Sequence, residues 1–118
     1  MINTEKLWLR IAGLNGFIAI VMGAIAAHGV SDVHAASMAD KASLYQLIHS
    51  VVLLWLASVE GKCFMLARLL IISGIILFCG SIYLKALSGW ENATAVAPLG
   101  GVSFMIAWLV IAFAYRGK

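Results

Sequence analysis

Four stretches of this chain carry no Asp, Glu, Lys or Arg: Ile11–Ser31, Ala42–Val59, Leu69–Leu84 and Asn92–Tyr115. A helix needs about 20 apolar residues, with a range of about 17–25, to cross the hydrocarbon core of a bilayer. The first, second and fourth stretches meet that length directly. The third meets it once Cys63–Ala67 extends it past Arg68. Arg68 would then snorkel to one interface and Lys85 to the other, as long basic side chains near helix ends do. The chain has 118 residues, 64% of them hydrophobic and 11% charged. Ordinary soluble domains run near 45–50% apolar and about 25% charged, and a chain this short has too much surface to hide the excess. This excludes a soluble enzyme, a disordered chain and a disulfide scaffold. The expected fold is all-α: one integral membrane four-helix bundle, up-down-up-down, with helices over about 7–28, 41–59, 63–87 and 97–115.

Basic residues set the expected orientation. Lys6, Arg10, Lys62, Arg68, Arg116 and Lys118 fall on the side of the two termini, and only Lys41 and Lys85 on the other. Both termini are therefore expected in the cytoplasm. A cleavable signal peptide is the competing reading of Lys6, Arg10, the apolar run and Ala24-Ile25-Ala26. That run exceeds the usual ~7–15 residues of such a segment, so the first helix is expected to be retained. The eight Lys and Arg are too few and too scattered for nucleic acid. Membrane lipids are the expected partners, with another membrane protein or a second copy of the chain beside them.

The connections are read from breaker residues. His28 to Asp40 is the longest, with His34 solvated in it and Asp40 near the start of helix two. Gly89 ends helix three, Trp90 sits at the interface, and Pro98 occupies the first turn of helix four. Cys63 and Cys79 are too far apart along one helix to bridge. They read as small apolar packing groups. No zinc spacing is present, and no cofactor or metal is called for.

Small residues mark the packing faces. Ala12, Gly16, Ala19, Gly23 and Ala26 recur at steps of four and three on one face of helix one. Helix four carries Gly100 with Gly101, then Ser103, Ala107 and Ala114, and helix three carries Gly74, Gly80 and Ser81. Small faces let backbones approach in lipid, either within one chain or between copies.

Polar residues at membrane depth are functional candidates by default. Tyr45, Gln46 and His49 share one face of helix two. His28 at the end of helix one and Tyr83 near the end of helix three fall at a similar level, in the outer half of the bundle. Three readings compete. The group is interhelical glue, a niche for a lipid headgroup or quinone-like ring, or a metal or haem site. Asn15 reads as a hydrogen-bonding partner for a neighbouring helix. Asp32, Asp40, Glu60 and Glu91 all fall in expected connections, which argues against a proton-coupled transporter. No nucleophile triad, phosphate loop or HExxH is present, so no catalytic residue is assigned.

Four motifs carry a resemblance. Gly23-Ala24-Ile25-Ala26-Ala27-His28-Gly29 matches a "GAxxAHG" element, and Tyr45-Gln46-Leu47-Ile48-His49 a "YQxxH" element. Phe78-Cys79-Gly80-Ser81-Ile82-Tyr83 matches "FxGSxY", and Pro98-Leu99-Gly100-Gly101 with Trp108 matches "PxGG…GW". In this order they resemble the YgdD/YwdK-like family of small integral membrane proteins, with Ala107 departing from an expected Gly. The resemblance implies a four-helix protein, bacterial members in the inner membrane, and no known activity. The expected function is a non-enzymatic membrane binding or accessory protein with an outward polar niche. An oligomeric small channel or transporter is the alternative.

Overall fold

Four helices make up the computed structural model, which describes residues 3–114. Tyr115, Arg116 and Lys118 lie outside the described residues, so the end expected for helix four and two of the six basic residues behind the orientation do too. Helix α1 runs Thr4–His28, α2 Val33–Leu56, α3 Lys62–Ser88 and α4 Glu91–Phe113. Among the described residues there is no strand.

Each boundary has a local cause. Asn3 Oδ1 accepts the Lys6 N–H at 2.8 Å and starts α1. Asp32 does the same for α2, accepting from Ala35 N–H at 2.8 Å. Gly89, at φ 78°, ends α3 in the left-handed region, its N–H bonded to the Lys85 carbonyl. Helix α4 opens as a 3₁₀ turn over Glu91–Val96, and Pro98 follows in its first α-helical turn. Helix α3 contains a π-helical turn at Ile75–Gly80.

The early start of α2 corrects the expected loop from His28 to Asp40. The connection is only residues 29–32, His34 stands exposed in the first helical turn, and Asp40 lies inside the helix. Charge ended the apolar run but not the helix. Asp40 and Lys41 are exposed, while the flanking Ala39 and Ala42 are buried. That is an amphipathic turn in an alanine-rich segment, which favours helix.

Three helices, α1, α3 and α4, are long and apolar enough to cross a membrane. Helix α2 falls short of that apolarity, and it carries more buried polar side chains than any other helix. It buries Ala39, Ala42, Ser43, Gln46, His49, Ser50, Leu53 and Leu56, against four residues in the longer α1. Its polar side chains lie on the buried side, against protein, while Leu44, Val51 and Leu54 are exposed on the other side. Gly16 lies against Ser50 and Gly23 against Ser43, which makes α1 and α2 antiparallel. Ser103 bonds the Leu70 carbonyl and Gly100 lies on Phe78, which makes α3 and α4 antiparallel. The faces turned outward are apolar: Leu14, Phe17 and Ile20 on α1, Ile76 on α3, and Leu99, Met105 and Leu109 on α4.

Arg68 corrects another expectation. It does not snorkel outward. It is buried, and its Nε and Nη2 donate to the Leu56 carbonyl at 3.1 and 2.8 Å. Nη2 also donates to the Val59 carbonyl at 2.5 Å, and the guanidinium carbon sits 5.5 Å from the Trp8 ring centroid. The carbonyls at the end of α2 have no partners within their own helix. A cation there also meets the negative end of the helix dipole. Lys85 does reach the surface, 3.4 Å from Glu91. Cys79 is fully buried as expected, but Cys63 is exposed.

Candidate functional site

The polar side chains at the middle of α2 divide between two of its flanks. On one flank lies a hydrogen-bonded chain linking three helices. Tyr83 Oη donates to Gln46 Oε1 at 2.7 Å, and Gln46 Nε2 donates to Asn15 Oδ1 at 2.7 Å. Asn15 Nδ2 donates to Ser50 Oγ at 2.6 Å, and Ser50 Oγ donates to the Gln46 carbonyl at 2.8 Å. Every donor points the same way along the chain, so each bond polarises the next. Ser43 donates to the Ala19 carbonyl at 2.9 Å, and Cys79 Sγ to the Ala42 carbonyl at 3.3 Å. Among the described residues, no buried side-chain nitrogen or oxygen lacks a partner.

His49 lies on the other flank. Trp108 Nε1 is 3.1 Å from His49 Nε2. An indole N–H only donates, so Nε2 is the unprotonated nitrogen. The proton then sits on Nδ1, 2.6 Å from the Tyr45 carbonyl. The imidazole is thereby fixed as one neutral tautomer with both nitrogens engaged. Its face stacks on Phe104, with centroids 3.9 Å apart at 17°. Binding a metal or haem at Nε2 would first require breaking the Trp108 bond. Among the described residues, no group of three His, Cys, Asp or Glu is placed to hold a metal.

Beside His49 a groove of about 290 Å³ opens on the outer surface. Tyr45, Ile48 and His49 of α2 form one wall, and Gly101, Phe104, Met105 and Trp108 of α4 the other. The Tyr45 ring is half exposed and stacks on Phe78 at 5.3 Å. No hydrogen bond to its hydroxyl is found among the described residues. Gly101 contributes bare backbone, since a Cβ there would meet nothing within 4 Å.

The expected niche is therefore redistributed. Gln46 and Tyr83 meet, but inside the glue chain. Tyr45 and His49 meet on the groove, away from them. His28 stands exposed in the last turn of α1 and joins neither group. Tyr45, Gln46 and His49 stand at the middle of α2, because it begins at Val33, while His28 and Tyr83 stand near the ends of α1 and α3. The small-residue face of α1 packs against α2 inside the chain: Ala12 and Ala19 are buried, and Gly16 and Gly23 face serines. Gly100 packs on Phe78, but Gly101 does not pack and lines the groove instead. Ser43, Ser50, Phe104 and Met105 were not singled out from sequence. One signal was available for the serines: they are seven residues apart, as are Gly16 and Gly23, so the two faces match in register.

Apolar side chains outside and satisfied polar groups inside define a helical membrane protein. The chain belongs to the family described as "Protein of unknown function (DUF423)", whose model matches residues 22–101. It is similar to a UPF0382 membrane protein of Staphylococcus aureus, 35% identical over 92% of this chain and 94% of that one. A UPF0382 membrane protein of Staphylococcus epidermidis gives the same identity and coverage. One from Haemophilus influenzae is 34% identical over 90% of each chain. No solved structure gives a significant match.

Proposed function

We propose that this protein is a non-enzymatic membrane accessory protein that holds an uncharged, flat, lipid-soluble ring of quinone type in the Tyr45–His49–Trp108 groove. The reading takes its four helices as an up-down-up-down bundle in the bacterial plasma membrane, both termini cytoplasmic, and groups the chain with the YgdD/YwdK-like proteins. The observation that carries it is the groove at mid-helix, walled by aromatic faces and floored by the bare backbone of Gly101. At that depth a charged headgroup is disfavoured, whereas a neutral ring stacks on the exposed faces of Tyr45 and Trp108. The Tyr45 hydroxyl supplies a donor for a ring carbonyl. The volume of about 290 Å³ suits a single ring, at the lower end of small-molecule sites. Gln46, Tyr83 and Asn15 then act as the glue that holds α1 and α3 to α2. His28 plays no part in the groove. The small-residue faces that favoured an oligomeric channel are occupied within the chain, which weakens that alternative.

The test is native mass spectrometry of the protein from nanodiscs loaded with a short-tailed benzoquinone. Wild type is expected to retain one quinone per chain. Gly101→Leu places a side chain in the groove at a position where a Cβ meets nothing within 4 Å, and is expected to lower retention by about tenfold, the factor equal to 1.4 kcal/mol of lost contact. No retention by wild type, or equal retention by the variant, would overturn the reading.

A further inference from the structure

The end of the molecule where α1 joins α2 and α3 joins α4 holds a second and larger cleft, of about 430 Å³. It shares no residue with the groove. We propose that it is a binding site for the headgroup of an amino-phospholipid, a primary ammonium beside a phosphate.

Charge is the first argument. Asp32, Lys85 and Glu91 line the cleft. Lys85 and Glu91 are already paired at 3.4 Å, so they nearly cancel. Asp32 uses one carboxylate oxygen on the Ala35 N–H, and its other oxygen has no partner among the described residues. With His34 beside them, the two carboxylates of the rim outnumber its one lysine, and a carboxylate recruits a cation with N–H donors. The second argument is shape. Below the charged rim, Met38 and Ile82 give an apolar floor between α2 and α3. A soluble amine would gain nothing from that floor, whereas the glycerol end of a lipid would. The third argument is position. Trp90, half exposed, sits between the lining residues Gly89 and Glu91. An amphipathic aromatic of that kind belongs at headgroup level. Thr94 stands on the α3–α4 side of the cleft and supplies a donor for the phosphate. The volume falls within the range of small-ligand sites, about 300–1,000 Å³, which accommodates a phosphoethanolamine group.

The experiment releases the full-length protein from nanodiscs made of equal parts phosphatidylethanolamine and phosphatidylcholine. The two lipids share the phosphate and differ in whether the nitrogen carries N–H groups. Wild type is expected to keep phosphatidylethanolamine about tenfold over phosphatidylcholine, the scale of one charge-assisted hydrogen bond. Asp32→Asn keeps the helix cap, since Asn caps as well as Asp, and is expected to abolish the preference while its melting temperature stays unchanged. Quinone retention in the groove should not change in that variant, so the two sites succeed or fail separately. Equal retention of the two lipids by wild type would overturn the proposal, and so would a preference that survives Asp32→Asn. Displacement of the bound lipid by millimolar free phosphoethanolamine would transfer the site to a soluble ligand and overturn the lipid assignment.

Discussion

A Cβ on Gly100 would lie 2.7 Å from the Phe78 Cβ and 2.9 Å from the Leu77 carbonyl carbon, whereas one on Gly101 would meet nothing within 4 Å. Gly100→Ala is therefore expected to destabilise by about 1–3 kcal/mol, the usual cost of overpacking. Gly101→Ala should stay within about 0.5 kcal/mol. Thermal unfolding of both in one detergent checks the contrast, and equal losses would mean that the two helices approach differently. Gln46 is the other decisive residue. Replacing it with Leu leaves Asn15 Oδ1 without its donor and the Tyr83 hydroxyl without its acceptor. A loss of about 1–3 kcal/mol is expected. Tyr83→Phe should then cost less on the Gln46→Leu background than on wild type, because its partner is already gone. Additive losses in that double-mutant cycle would show that the bond contributes nothing. The glue role of Gln46 was among the readings of the sequence. Its partners were not, because residues on three helices come together only in space.

At the scale of the element, the end of α2 depends on α3. Arg68 bonds the Leu56 and Val59 carbonyls and covers Trp8 of α1. Arg68→Leu should raise amide exchange over the last turn of α2 and destabilise by about 1–3 kcal/mol. Arg68→Lys should recover only part of the loss, since an ammonium lacks the planar fork that reaches two carbonyls at once. Protection unchanged in the Leu variant would remove the cap from the account. From sequence, Arg68 looked like an interfacial cation, because a basic residue near a helix end usually is one. Only the carbonyls of another helix redirect it. The π-helical turn at Ile75–Gly80 was likewise not legible. Such a turn closes i→i+5 bonds and is wider than its α-helical neighbours, and here the same stretch carries Phe78 against Gly100 and buries Cys79 on α2.

For the whole molecule, orientation is the property open to a direct check. The native Cys63 is exposed beside the connection between α2 and α3, while Cys79 is buried. With both termini cytoplasmic, Cys63 faces the cytoplasm. A membrane-impermeant maleimide should leave intact cells unlabelled and label inverted vesicles. On a Cys63→Ser background, Ser88→Cys, exposed at the opposite end, should show the reverse pattern. Labelling of Cys63 from outside would invert the orientation. The same scale explains why α2 is the helix least suited to lipid. Its buried side meets side chains or backbone of all three other helices, so Ser43, Ser50, Gln46 and His49 find protein partners where an outward position would leave them in hydrocarbon.

The number of helices, the breaks after α2 and α3 and the small-residue face of α1 followed from sequence, because glycine and proline act over a few residues. Gly89 ended α3 and Pro98 entered the first α-helical turn of α4 for reasons that are local. Depth and partnership did not follow. The expected polar niche joined residues by their level along separate helices, yet rotation about each helix axis decides which of them meet. That rotation is set by contacts such as Gly16 on Ser50 and Gly100 on Phe78. It is why Gln46 and His49, three residues apart, serve two different parts of the molecule.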